Sequence, residues 1–291
     1  MHQLVRPWWT GLAAIIMLLL IAGSTMPQSG NTLLRLKAGP HLFIDDYLIA
    51  ENSFLTRVVN NPRKLGAPVI TGGKSGDDNF QPYLTVLRDP ETRLFRMWYN
   101  TPGSMSQSHI GYIESEDGIH WIRPHRVLED PGTIDFGASV VDRGPDFANR
   151  SQRYVLGYYF KDGLAVATSS DGLEWKLLSA TSVLKHDHDI NSLRWDPLRE
   201  RFLAMVSAME QNNWKERRRI PHESVSKDLI QWKKPWIIIM PEIGAPIERG
   251  ETQFYCMGGI VVRGDLMIGL VRCCATTSTR LRERPRSTWE T

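Results

Sequence analysis

The chain has 291 residues, 42% hydrophobic and 23% charged, a balance that suits a globular protein and excludes an intrinsically disordered one. Its formal charge of +3 resides in the last twenty residues, which hold five arginines and two glutamates, so everything before Arg272 is neutral overall. A neutral body has no basic face to track phosphates, which excludes nucleic acid as the expected partner.

Residues 1–24 read as a signal peptide: Arg6, an apolar run from Gly11 to Ala22, and a small-x-small site at Ala22 and Ser24. The run is short for a membrane span of about 20 residues, so a secreted or periplasmic body is expected. An uncleaved N-terminal anchor is the alternative, and no other membrane contact is expected. A linker follows over 25–38. In "FIDDYLI", Asp45 and Asp46 sit between apolar residues, as in a leading strand with its polar residues at a rim. The three cysteines (Cys256, Cys273 and Cys274) do not form a disulfide framework.

From residue 39 the chain repeats. "SEDGIHW" at Ser115–Trp121 returns as "SSDGLEW" at Ser169–Trp175 and as "SKDLIQW" at Ser226–Trp232, with the tryptophans 54 and 57 residues apart. Each unit opens with an apolar run ending in an Asp or Gly turn: "YLTVLRDP", "ASVVDRGP", "NSLRWDP", "GGIVVRGD". A second strand follows ("RLFRMWYN", "RYVLGYYF", "RFLAMVSA", "LMIGLVR"), and a third leads into the Ser-x-Asp turn and its Trp. No segment sustains a helical period, so helices should be scarce. Four antiparallel strands per unit, repeated about an axis, make a β-propeller. The Trp turn then joins the third and outermost strands, and its ring packs between units. A β-sandwich explains the strands but not the four-part order.

An acidic residue stands just before the innermost strand of each unit: Asp78, Asp135, Asp189 and Glu251. Asp135 and Asp189 each precede their turn aspartates, Asp142 and Asp196, by seven residues, while Asp78 precedes Asp89 by eleven. Asp89 itself reads as turn chemistry, since "RDP" and "WDP" share one repeat position. Convergent carboxylates suit glycosidic-bond cleavage, where one donates a proton and another acts as base or nucleophile. Alternatively, these acids are solvated or cap strand amides.

The cluster "KHDHDIN" alternates histidine and aspartate. It fits sugar hydrogen bonding by His188, Asp189 and Asn191, with a structural divalent ion near His186 and His188 as the alternative. Gln253 and Tyr255 offer an amide and a ring to the same funnel. The run Arg217–Arg219 reads as a solvated loop, or as a clamp for acidic sugars.

The stretches "RDPETRLFRMWYN…IGYIESEDGIHW", "HLFIDDYLIAENSFLTRVVNNPRKLGAPVI" and "ETQFYCMGGIVVRGDLMIGLV" resemble the N-terminal domain of glycoside hydrolase family 32. More broadly they are similar to the five-bladed propellers of families 32, 43 and 68. The resemblance covers 39–272 and implies a five-bladed β-propeller with about four blades present. It also implies a secreted enzyme that hydrolyses glycosidic bonds of an oligo- or polysaccharide without a cofactor. It assigns Asp78 as base or nucleophile, Asp189 (or Asp135) as modulator and Glu251 as acid, although the Asn-Asp-Pro-Asn signature of invertases is absent. A carbohydrate-binding propeller without catalysis, or an inactive fragment, is the rival function. A sialidase-like site would want three convergent arginines, and only Arg194 and Arg249 lie near inner strands. After Arg272 the alternation stops, so 273–291 reads as an aberrant tail, frameshifted or disordered. A frameshift near codon 272 would remove the rest of the fourth blade and all of the fifth.

Overall fold

A computed structural model describes residues 34–36, 41, 43, 45–71, 83–102, 107–122, 126–187, 191–210, 218–240, 251–263 and 266–276. Side-chain placement is not described for part of 251–276. The signal segment, Asp78, His188, Asp189, Arg217, Arg249 and residues 277–291 lie outside this set.

The chain divides into a unit over Met1–Pro62 and a unit over Arg63–Thr291. In the first, residues 45–48 form a bend and turn rather than the expected strand. The local cause is the Asp45 carboxylate, which accepts the Tyr47 amide at 3.0 Å and folds the backbone back on itself. Asp46 pairs with Arg57.

The second unit is all-β. Its strands are β1 (Leu84–Arg88), β2 (Phe95–Pro102), β3 (Ser108–Ser115), β4 (Arg126–Val127), β5 (Phe136–Asp142), β6 (Tyr154–Phe160), β7 (Gly163–Ser169), β8 (Lys176–Leu177), β9 (Leu184–Lys185), β10 (Asn191–Asp196), β11 (Arg201–Glu210), β12 (Arg218–Ser226), β13 (Trp236–Ile237), β14 (Glu251–Arg263) and β15 (Leu266–Thr276). A three-residue 3-10 turn at Arg150–Gln152 is the one helical piece among the described residues. The sheets run β1-β2-β3-β4, β5-β6-β7-β8 (with β9 beside β7), β10-β11-β12-β13 and β14-β15. Each sheet uses consecutive strands, all antiparallel, and packs on its neighbours in chain order. That is a propeller of four blades, in keeping with a five-bladed propeller of which about four blades are present, and it is not a sandwich. Two details depart from expectation. Strand β15 continues to Thr276, four residues past Arg272, and pairs there with Glu251. Strand β12 begins at Arg218, so Arg218 and Arg219 belong to a strand and not to a solvated loop.

Alternation along each strand sends one set of side chains to the preceding blade and the other to the following one. Trp98, Tyr112, Ala138, Val140, Tyr154, Leu156 and Trp175 form the core between the first and second blades. Val155, Val166, Leu193, Phe202, Ala204 and Leu229, with Trp232 against them, form the core between the second and third. Trp175 and Trp232 therefore pack between units, as expected, whereas Trp121 packs on Met97, Tyr99 and Ile113 of its own blade, with Ile70 beside them. Each such residue contributes about 1.5–3 kcal/mol by burial.

The Ser-x-Asp turn is built identically in three blades. In the first blade, Ser115 Oγ accepts the Gly118 amide at 2.9 Å, and Asp117 Oδ1 accepts the Ile119 and His120 amides at 2.8 and 2.7 Å. Ser169 with Asp171, and Ser226 with Asp228, repeat the pattern. Trp121 and Trp232 donate to the carbonyls of Gly118 and Leu229 within their own turns, at 3.1 and 2.9 Å. In the second blade that carbonyl is taken from outside: Trp98 of the first blade donates to the Gly172 oxygen at 2.6 Å.

Hydroxyl groups join the innermost strands where no ladder exists. Thr85 Oγ1 accepts the Val140 amide at 3.0 Å, linking β1 to β5. Ser139 Oγ accepts the Leu193 amide at 2.9 Å and donates to the Leu193 carbonyl at 3.0 Å, linking β5 to β10.

Candidate functional site

These two links set β1, β5 and β10 side by side, so their first residues, Leu84, Phe136 and Asn191, share one end of the propeller. Their last residues meet the turns at Asp89, Asp142 and Asp196 at the other end. The two ends differ in chemistry.

At the turn end most charges are buried and paired; Arg143 is the exception, its buried Nε making no hydrogen bond among the described residues and burial holding its pKa down at about 10. Arg96 donates to the hydroxyls of Tyr112 and Tyr154, both at 2.7 Å, and to the Asp171 carbonyl at 2.5 Å. Burial alone would lower its pKa, but the tyrosines and Asp89 outweigh this and hold it above the ordinary value. Arg153 grips Asp142 with two bonds at 2.9 and 3.1 Å and reaches Glu91 at 2.8 Å. Asp89 accepts the Glu91 and Thr92 amides at 2.9 and 3.0 Å. Burial opposes its ionisation, yet these amides and the guanidiniums of Arg153 and Arg96 keep its pKa below the usual carboxylate range. This end is a closed structural network, and Asp89 is part of its turn chemistry.

At the strand-start end, aromatic rings and buried neutral polar groups accompany the Asp135 carboxylate. The rings of Tyr83 and Phe136 meet edge-on at 4.8 Å, joining the first two inner-strand starts. Asn191 is 7% exposed, and neither its Oδ1 nor its Nδ2 has a hydrogen-bond partner among the described residues. Its Oδ1 faces Gly137, which adopts φ +80° at the irregular start of β5. Asn100 lies at the same end, its backbone N–H donating to the Tyr83 carbonyl at 3.1 Å and its side chain fully buried.

The residues expected at this end fare differently. Asp135 immediately precedes β5, and its Oδ2 accepts the Lys161 amide at 2.5 Å, which fastens the β6–β7 turn of its own blade. Asp187 accepts the Met209 amide at 2.9 Å. His186 is buried, with its ring 5.2 Å from that of Tyr159. No cluster of three or more metal-ligating side chains occurs among the described residues. Glu251 opens β14, which packs on the third blade, and Gln253 and Tyr255 follow in the same strand. Their side chains, like Asp78, His188 and Asp189, are outside the described set. By chain position, Asp78 lies six residues before Leu84 and Asp189 two before Asn191. Arg194, on β10, is largely desolvated; burial holds its pKa below the ordinary value, and its guanidinium donates to the Leu193 carbonyl at 3.2 Å. Sequence reading did not single out the buried Asn100 or Ser207; the asparagine ending "RMWYN" is the one visible signal of Asn100.

No family model matches the chain. An uncharacterized protein of Mycobacterium tuberculosis, Rv1502, is 29% identical over 120 residues, covering 39% of this chain and 38% of that protein. Among solved structures, a fructofuranosidase of Schwanniomyces occidentalis complexed with fructosylnystose is similar, with TM-score 0.43 and 18% identity over 60% of this chain and 36% of that one. A protein of unknown function from Dyadobacter fermentans has TM-score 0.45 and 12% identity over 66% of this chain and 62% of that one. An α-L-arabinanase of Penicillium chrysogenum complexed with arabinobiose has TM-score 0.38 and 8% identity, covering 56% and 52%. The chain thus spans less than two thirds of each of these proteins.

Proposed function

We propose that this protein is a carbohydrate-active propeller of glycoside hydrolase type, exported from the cell, that binds an oligo- or polysaccharide at the strand-start end. The observation that carries this reading is the convergence of the inner-strand starts at an end furnished with aromatic rings and buried amides. Polar groups with both donors and acceptors, set beside rings, suit sugar hydroxyls and sugar faces. In the proposed chemistry Glu251 donates a proton to the leaving oxygen. Asp78 acts as base or nucleophile, and Asp189 raises the acid's pKa by like-charge repulsion. Asp135 contributes through its remaining carboxylate oxygen, and His188, Asn191, Gln253 and Tyr255 hold the sugar. No cofactor is required.

The test is Glu251→Gln in the full chain, assayed for reducing-sugar release and for polysaccharide retention. Loss of release by a hundredfold or more, of the size general acid catalysis supplies, with retention kept, supports hydrolysis. A parent chain that retains polysaccharide and never cleaves it supports the binding-only reading. A parent that does neither sinks both.

A further inference from the structure

Beyond the strand starts themselves, a second tier of polar side chains lies at the same end of the propeller. Counted back from each blade's Ser-x-Asp serine, Asn100, Tyr159 and Ser207 occupy equivalent positions on the second strands β2, β6 and β11. Register places all three on the face turned to the following blade. Asn100 is 0% exposed, Ser207 1%, and the neighbouring Thr101 0%. With Asn191 they carry six buried polar atoms that make no hydrogen bond among the described residues: both amide atoms of each asparagine and the two hydroxyls.

The turn end differs. There, Arg96, Arg153, Asp89, Asp142 and Asp196 are each buried or half-buried, and each is bonded, while Arg143, whose buried Nε makes no hydrogen bond among the described residues, stacks on Phe147. A chain that pairs most of a dense charged network at one end, yet leaves six neutral polar atoms without a partner among the described residues at the other, concentrates its desolvation cost where a ligand can repay it. All six atoms belong to uncharged groups. An amide offers a donor and an acceptor side by side, the match for two vicinal hydroxyls, while a hydroxyl offers either role.

We infer that the site extends from the axis into the seams between blades, where Asn100, Ser207 and Asn191 bind sugar hydroxyls directly or through ordered water. This inference rests on the carbohydrate reading and adds to it two binding residues, Asn100 and Ser207. The seam groups are neutral, so they favour uncharged sugar rings over uronates.

The experiment is isothermal titration of the full chain with soluble arabinan, xylan and inulin, and with polygalacturonate as the acidic comparison. It is repeated on Asn100→Leu, Asn191→Leu and Ser207→Ala, each also followed by thermal melting. Ser207→Ala deletes one atom and serves where a leucine variant does not fold. The expected result is binding of a neutral polysaccharide that weakens about tenfold in the variants, with melting temperature kept or raised. Neutral binding unchanged in variants that melt higher overturns the inference alone, because the groups are then merely buried. Preference for polygalacturonate also overturns it alone. A parent chain that binds none of the four overturns the carbohydrate reading and this inference together.

Discussion

Replacing Ser139 with Ala removes one oxygen atom and, with it, both hydrogen bonds to Leu193 that join β5 to β10. Ser139 is 5% exposed and Leu193 0%, so water does not readily take the hydroxyl's place. The variant leaves the Leu193 N–H without that partner, at a cost of about 1–3 kcal/mol for an unsatisfied buried group, while the Leu193 C=O keeps the Arg194 guanidinium at 3.2 Å. The expected loss is roughly 1–3 kcal/mol, against a total stability of about 5–15 kcal/mol for a domain. For a unit of this size that corresponds to a fall in melting temperature of about 3–10 °C. Differential scanning calorimetry at neutral pH measures it, with Ser139→Thr as the variant that keeps an oxygen. A Ser139→Ala protein melting within about one degree of the parent would refute the claim that side-chain hydroxyls, and not only apolar packing, join the blades.

Three further outcomes follow from the same packing. Gly172→Ala places a Cβ 2.8 Å from Trp98 Cζ2 at a residue with φ +80°; a left-handed non-glycine residue costs about 1–3 kcal/mol before any clash. Urea unfolding should show at least that loss, and an unchanged midpoint would contradict the Trp98 contact. Thr85→Val keeps the shape but deletes the acceptor for the Val140 amide. It should cost about 1–3 kcal/mol, read as a shifted midpoint at constant slope. Glu223 lies buried on β12, and burial, reinforced by Asp196 and opposed by Arg201, raises its pKa above the ordinary value. A carboxyl whose folded pKa is raised contributes stability below its unfolded value, about 4.3, and loses it as pH rises through the folded value. Glu223→Gln should therefore raise the melting temperature at pH 7 and leave it unchanged near pH 4. An equal gain at both would show that charge is not the cause.

The blade order was legible because each strand and turn carries its own local signal. The hydroxyl-to-carboxylate pattern of Ser115 with Asp117 is complete within seven residues of sequence, and so is the Asx turn at Asp89. Links between blades are another matter. Thr85 reaches a partner 55 residues away and Ser139 one 54 away, and neither has a neighbour that announces it. The same limit hides Asn100, which looks like the polar end of a strand until its register beside Tyr83 is known. Asp135 shows the converse. Its spacing from Asp142 marks the start of an inner strand, but only the fold reveals that the Lys161 amide occupies one of its oxygens. Around Asp45 the apolar flanks suggested a strand, and one side-chain-to-amide bond was enough to make a turn.

The central claim is that sugar binds at the strand-start end. Hydrogen–deuterium exchange of the full chain, with and without a neutral polysaccharide that it retains, tests this most directly. The account predicts added protection in peptides that contain Leu84, Phe136, Asn191 and Glu251, with none at the turns of Asp89, Asp142 and Asp196. Protection confined to those turns, or to the outer strands β4, β8 and β13, would contradict it.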